Sequence, residues 1–177
     1  MLTHSHLLTL FQALNEAEAK YVVVGGLAVN FHGYQRFTKD VDLLISLDDC
    51  DAQKMVSVLE EKGFKPIYPI DLHEFCDAEK REKWARERNM TVFSVVSDGL
   101  KGLTLDLFVK NPYEYSEIES DLIYENMEGV MIPTIDLGRL IEMKKQVARP
   151  QDLIDVTALE RIQAEHLSRE SEEVEEA

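Results

Sequence analysis

Three aspartates have the type and spacing to do chemistry. Asp40 and Asp42 flank Val41 in DVDLLI, residues 40–45, and Asp106 lies inside LTLDLFV, residues 103–109. Both runs alternate as strands do. Val41, Leu43 and Ile45 form one apolar face, and Leu103, Leu105, Leu107 and Val109 alternate with Thr104, Asp106 and Phe108. Residues two apart in a strand project to one side, so Asp40 and Asp42 point the same way. Two like charges ~4 Å apart repel by roughly 4 kcal/mol at an effective dielectric of ~20, and a third carboxylate adds to this. Magnesium resolves the conflict, because it takes carboxylate oxygens while keeping waters and substrate phosphates. Three carboxylates on adjacent strands can hold two such ions about 3.5–4 Å apart, clamping the attacking and leaving oxygens of phosphoryl transfer. The plainer alternative for DxD alone puts Asp40 in a turn, Asp42 in solvent and Asp106 beside a lysine.

The flanking residues favour the metal reading. YVVVGG, residues 21–26, ends a β-branched run in Gly25 and Gly26, just before the helical pattern LAVNFH. A glycine pair there lets backbone N–H groups approach phosphates closely, at a helix start whose dipole favours anions. Arg36 and Thr38 precede the carboxylates. Arg36 can bind a triphosphate bidentately; its alternative is a surface arginine. Lys144 sits seven after Leu137, on the stripe of Leu137, Leu140 and Ile141. A lysine on such a stripe either snorkels or points into a cleft. His32 reads as a packing residue at a helix end, and KREKWARER around Trp84 as a solvated face anchored by the tryptophan.

The elements that must position these residues follow from periodicity. A helix is expected over 5–18, a buried strand over 21–25, and a short helix from 27 that Gly33 ends in a left-handed cap. A strand over 41–45 leads into a helix ending at Gly63. An edge strand follows over 64–70, where prolines cannot donate to a ladder. Residues 74–89 are helical or loop-like. Strands are expected over 91–96 and 103–109, then a hairpin around Glu128 and Gly129, then helices over 136–147 and 150–166. This is an α+β (mixed α/β) chain, a small mixed sheet flanked by helices with a helical C-terminus. The expected divisions are a core over 1–133, packing helices over 134–167 and an acidic disordered tail over 168–177.

With 177 residues the chain suits one compact domain. Its formal net charge of -15 opposes strong non-specific DNA binding through phosphates. Cys50 and Cys76 lack any metal-ligand spacing and read as reduced thiols. No secretory signal or membrane-spanning run is visible, so a cytoplasmic location is expected.

The stretch VVVGGLAVNFHGYQRFTKDVDLLI resembles the nucleotidyltransferase superfamily of polymerase-β-like fold. That signature is a strand, a GG or GS turn, a short helix, and a strand bearing DxD, completed by a later carboxylate that Asp106 matches. Within it, the form of the motif looks most like the AbiEii-type nucleotidyltransferases of toxin–antitoxin systems. LIEMKKQVARPQDLIDV, residues 140–156, is similar to that group's K…GR-x-K-D segment, with Lys144, Arg149 and Asp152 on the matching positions. Ala148 and Gln151 replace the usual glycine and lysine.

The resemblance implies a Mg²⁺-dependent enzyme, with Mn²⁺ as a substitute, that moves a nucleoside monophosphate from an NTP to an acceptor hydroxyl on tRNA, protein or a small molecule. Asp40, Asp42 and Asp106 would be catalytic and metal-binding, while Gly25, Gly26, Arg36, Thr38, Lys144 and Asp152 would bind the nucleotide. It implies a toxin-like role with a cognate antitoxin. Two other classes stand beside it: a catalytically silent nucleotide-binding regulator of the same fold, and a DxD glycosyltransferase, which predicts a longer Rossmann-like half upstream.

Overall fold

The computed structural model describes residues 3–175. Helix α1 (His4–Glu16) leads into strand β1 (Tyr21–Val24), helix α2 (Gly25–Phe31), strand β2 (Asp40–Ile45) and helix α3 (Asp49–Glu61). Strand β3 (Phe64–Pro66), a 3-10 turn over Leu72–Cys76 and helix α4 (Ala78–Arg88) follow. Strands β4 (Val92–Ser97) and β5 (Leu103–Phe108) precede a short helix α5 (Tyr115–Ile118) and the hairpin of β6 (Ile123–Met127) and β7 (Val130–Thr134). Helices α6 (Leu137–Val147) and α7 (Pro150–Glu175) end the described chain.

The strands join one mixed sheet in the order β3-β4-β5-β2-β1-β7-β6. Tyr21, Val22, Val23 and Val24 are all buried, as a central strand covered on both faces requires. Leu10, Phe11 and Leu14 of α1 and Met55, Val56 and Leu59 of α3 join that core. On the α4 side Trp84 stacks on Phe93 with ring centroids 5.4 Å apart, and Phe75 meets the same ring at 5.3 Å. An aromatic cluster of this kind holds α4 against the sheet more firmly than its polar sequence suggests.

Several boundaries differ from those the sequence suggests, each for a physical reason. Helix α2 starts at Gly25 itself, because that glycine turns the chain with φ +62° and feeds the first helical turn. Strand β3 stops at Pro66 rather than near 70, since the prolines at 66 and 69 interrupt pairing. Helix α7 runs to Glu175 rather than to 166; no glycine or proline after Pro150 stops it. The expected acidic tail is therefore helical in backbone as far as 175, and residues 176 and 177 lie outside the described chain. The basic stretch of α4 is not wholly a solvated face either. Arg81 is buried and donates to the carbonyls of Phe75 (2.6 Å) and Leu47 (3.0 Å).

Other expectations hold. Gly33, at φ +103°, follows α2 in the left-handed conformation. His32 packs at that helix end, its Nε2 2.8 Å from the Ile135 carbonyl oxygen.

Candidate active site

Strand register brings the carboxylates together. Strands β2 and β5 run parallel, with Asp42 beside Asp106 and Asp40 beside Thr104. Strands β1 and β2 run antiparallel, with Val24 opposite Asp42. The glycine turn that follows Val24 is thereby laid directly over Asp42. A Cβ built on Gly25 falls 1.9 Å from Asp42 Oδ2, and one on Gly26 falls 2.5 Å from Thr38 Oγ1. Glycine is required twice at Gly25, for space and for its positive φ.

Burial, then the charges of Asp40 and Asp106, raise the Asp42 pKa to about 6, against the pull of a Gly26 backbone hydrogen bond and the Lys144 charge. Asp106 is also raised, by burial first and the Asp40 charge as well, with Ser94 opposing. Its Oδ1 is buried and has no hydrogen-bond partner. Among the described residues no three His, Cys, Asp or Glu side chains close on a common point as a metal cage. The donor set still fits a hard divalent cation: clustered carboxylates, one oxygen unpartnered, and mutual repulsion that a cation relieves. Magnesium suits such an open set, because it is ordinarily held by one or two carboxylates plus substrate phosphates.

Asp40, Asp42, Asp106, Gly25, Gly26, Arg36, Thr38, Lys144 and Asp152 all line one cleft of ≈ 470 Å³. Leu140, Met143 and Val147 of α6, with Phe37 and Phe108, give its lining an apolar part. The structure thus gathers every residue that the sequence assigned to metal or nucleotide, from segments more than a hundred positions apart.

Lys144 does not reach freely into this cleft. Its Nζ is buried, 3.1 Å from Asp152 Oδ1 and 2.9 Å from Asp155 Oδ2. Asp155, with no solvent exposure, also accepts from Arg36 Nη2 (2.9 Å) and Gln151 Nε2 (3.0 Å). Asp152 accepts from Arg149 Nε at 2.8 Å. Burial alone would raise both carboxyls. The hydrogen bonds from Arg149 and Lys144 hold Asp152 low instead, and those from Lys144, Gln151 and Arg36 hold Asp155 low. The two lysine and arginine positions assigned to nucleotide are therefore tied into a buried lattice of charge that joins α6, α7 and the loop before β2.

Asp155 is the residue that sequence reasoning missed. Its signal was present: it lies three after Asp152, on the same helical face and beside the buried Val156 and Leu159. Two departures from the family segment also gain a physical account. Gln151 serves Asp155 where a lysine is usual. Ala148, where glycine is usual, adopts φ +53° as the left-handed cap of α6.

A family model described as the nucleotidyl transferase AbiEii toxin, type IV toxin–antitoxin system, matches residues 8–177. The chain belongs to the AbiEii nucleotidyltransferase family. As a member it is a nucleotidyltransferase, and solved structures share its fold. The lincosamide antibiotic adenylyltransferase LnuA, bound to lincomycin, matches with TM-score 0.62 and 17% identity, covering 91% of this chain and 98% of that one. ANT(2")-Ia in complex with adenylyl-2"-tobramycin matches with TM-score 0.54 and 15% identity, over 94% of this chain and 99% of that one. A putative nucleotidyltransferase from Thermotoga maritima matches with TM-score 0.52 and 13% identity, over 94% and 91%. None of the curated proteins matches this chain in sequence. Among the described residues no helix of this family member is long and apolar enough to cross a membrane.

Proposed function

We propose that this AbiEii-family chain transfers a nucleoside monophosphate from an NTP to an acceptor hydroxyl, as the toxin component of a toxin–antitoxin pair acting in the cytoplasm. The observation that carries the chemistry is the cross-strand pair Asp42 and Asp106, with Asp40 alongside, in a cleft that opens under a glycine turn.

Asp40, Asp42 and Asp106 would hold Mg²⁺, or Mn²⁺ in its place, which when bound neutralises charge developing on the phosphates. Gly25 and Gly26 let the turn pack directly against Asp42 and Thr38, at the edge of the cleft where phosphate oxygens would approach its backbone. Arg36 and Lys144, fixed by Asp155, set the shape of the nucleotide wall with Thr38 and Asp152. Arg149 faces the same cleft and is raised chiefly by its hydrogen bond to Asp152, with Asp42 and Asp40 adding to the effect. It is the cation best able to follow a triphosphate.

In the transfer the acceptor oxygen bonds to the α-phosphorus while the bond to the bridging oxygen of the β-phosphate breaks. The acceptor proton passes to Asp106, and pyrophosphate leaves. An acceptor of tRNA, protein or small-molecule type fits this chemistry.

The test is to incubate labelled NTPs and Mg²⁺ with total cell RNA, protein and small-molecule fractions, comparing wild type with Asp42→Asn. Label transfer by the wild type alone is expected. Transfer that survives the substitution would remove Asp42 from the reaction.

A further inference from the structure

We infer that the edge strand β6 is a docking surface for a basic, extended segment of a partner protein, which adds to the sheet as a further strand. The two edges of the sheet, β3 and β6, differ in kind. Strand β3 is three residues long and ends in Pro66, as a blunted edge does. Strand β6, IYENM, carries no proline and no lysine. Its turn into β7 has positive φ at Glu128 (50°) and Gly129 (90°), the geometry of a two-residue type I′ hairpin. Met127 and Val130 flank that turn and exchange backbone hydrogen bonds. Alternation along the ladder then turns the N–H and C=O groups of Asn126 and Tyr124 outward. These outward groups meet no other segment's backbone among the described residues.

The side chains beside this edge are ready for a partner. Tyr124 stands across from Pro133, and Asn126 across from Met131. Tyr124 is 56% exposed and Met131 44%, so two large apolar groups lie in solvent on neighbouring strands. Both line a cleft of ≈ 350 Å³ with Tyr21, Tyr115 and Glu18. Tyr21 spends its hydroxyl on Asn15 Oδ1 (2.8 Å), whereas those of Tyr115 and Tyr124 make no hydrogen bond among the described residues.

The partner's charge follows from that of this chain. Between Lys110 and Arg139 lie seven Asp and Glu and no Lys or Arg. Among the described residues Glu18 is the one charged group that lines the cleft. Lys20, whose Nζ stands 5.9 Å from the Tyr115 ring centroid, is paired with Asp51. A second copy of the chain would bring the same acidic edge against itself. A strand that alternates basic and apolar residues instead pairs its backbone with Tyr124 and Asn126. It lays a cation on the tyrosine rings, and Glu18 answers the charge.

Three capped hexapeptides test this: Arg-Val repeated three times, Glu-Val repeated three times, and the Arg-Val peptide methylated on every backbone nitrogen. Each is titrated into the full chain by amide NMR at about 150 mM salt, where loose attraction to the acidic surface is screened. The Arg-Val peptide is expected to move the Tyr124 and Asn126 amides and to slow their exchange with solvent. It is expected to bind about tenfold more tightly than the other two, and about fivefold more weakly to Tyr124→Ala. Tyr124 is exposed, so its truncation leaves the core intact. Equal binding of the acidic or the methylated peptide, shifts confined to other residues, no binding, or an unchanged Tyr124→Ala affinity overturns the inference. Protection of these two amides that rises with protein concentration alone gives the edge to a second copy and overturns it as well.

Discussion

Lys144 Nζ and Asp155 Oδ2 lie 2.9 Å apart in the interior, one on α6 and the other on α7, and Asp155 also holds Arg36 from the loop before β2. Together these contacts tie α6 and α7 to the loop that leads into β2. Removing one partner of a buried ion pair leaves an uncompensated charge and costs about 3–5 kcal/mol. Asp155→Ala is expected to lose stability on that scale in urea unfolding, because it takes from Arg36 its carboxylate partner and from Lys144 one of two. A loss under about 1 kcal/mol would mean that the network is loosely solvated.

The same network sets a pH dependence. Asp152 and Asp155 are held below their ordinary values. A group whose folded pKa is depressed contributes stability that is complete above the unfolded value of ~3.9 and is lost as pH falls through the folded value. Wild type is expected to lose stability steeply in that acid range, and Asp155→Ala to lose less of it. Parallel acid profiles for the two proteins would contradict this.

Ala148 holds φ +53°, a conformation that disfavours a side chain by roughly 1–2 kcal/mol. Replacing it with glycine adds unfolded-state freedom worth about 0.4–1 kcal/mol. Ala148→Gly is therefore expected to stabilise by about 0.5–1 kcal/mol, read as a higher urea midpoint at unchanged slope.

Gly25→Ala tests the turn over the carboxylates. Its Cβ would stand 1.9 Å from Asp42 Oδ2 on a backbone at φ +62°, so the turn must move. Transfer activity is expected to fall below detection, with a lowered Tm. Near-normal activity would show that Asp42 does not need the turn where it lies.

The core of the site was legible because strand alternation is local. DVDLLI and LTLDLFV each fix which side chains share a face, and the glycine pair announces a turn. What was not legible is pairing at a distance. That β2 and β5 run parallel with Asp42 beside Asp106 depends on chain crossing, which no local pattern states. Lys144 was read as facing either solvent or ligand, since the hydrophobic stripe that carries it says nothing of a carboxylate one helix away. Arg81 was given to a solvated face because its carbonyl partners, Leu47 and Phe75, lie on other segments. The end of α7 was misplaced because the acidic stretch was read as a disordered tail, whereas glutamate is a good helix former.

The central claim is that Asp40, Asp42 and Asp106 form one metal site with the nucleotide. Titration of Mn²⁺ by electron paramagnetic resonance, with α,β-methylene ATP present, tests it without knowledge of the acceptor. Wild type is expected to bind two ions per chain, and Asp106→Asn to bind fewer at a Tm, without metal, no lower than that of wild type. Equal Mn²⁺ binding by the two proteins would contradict the account.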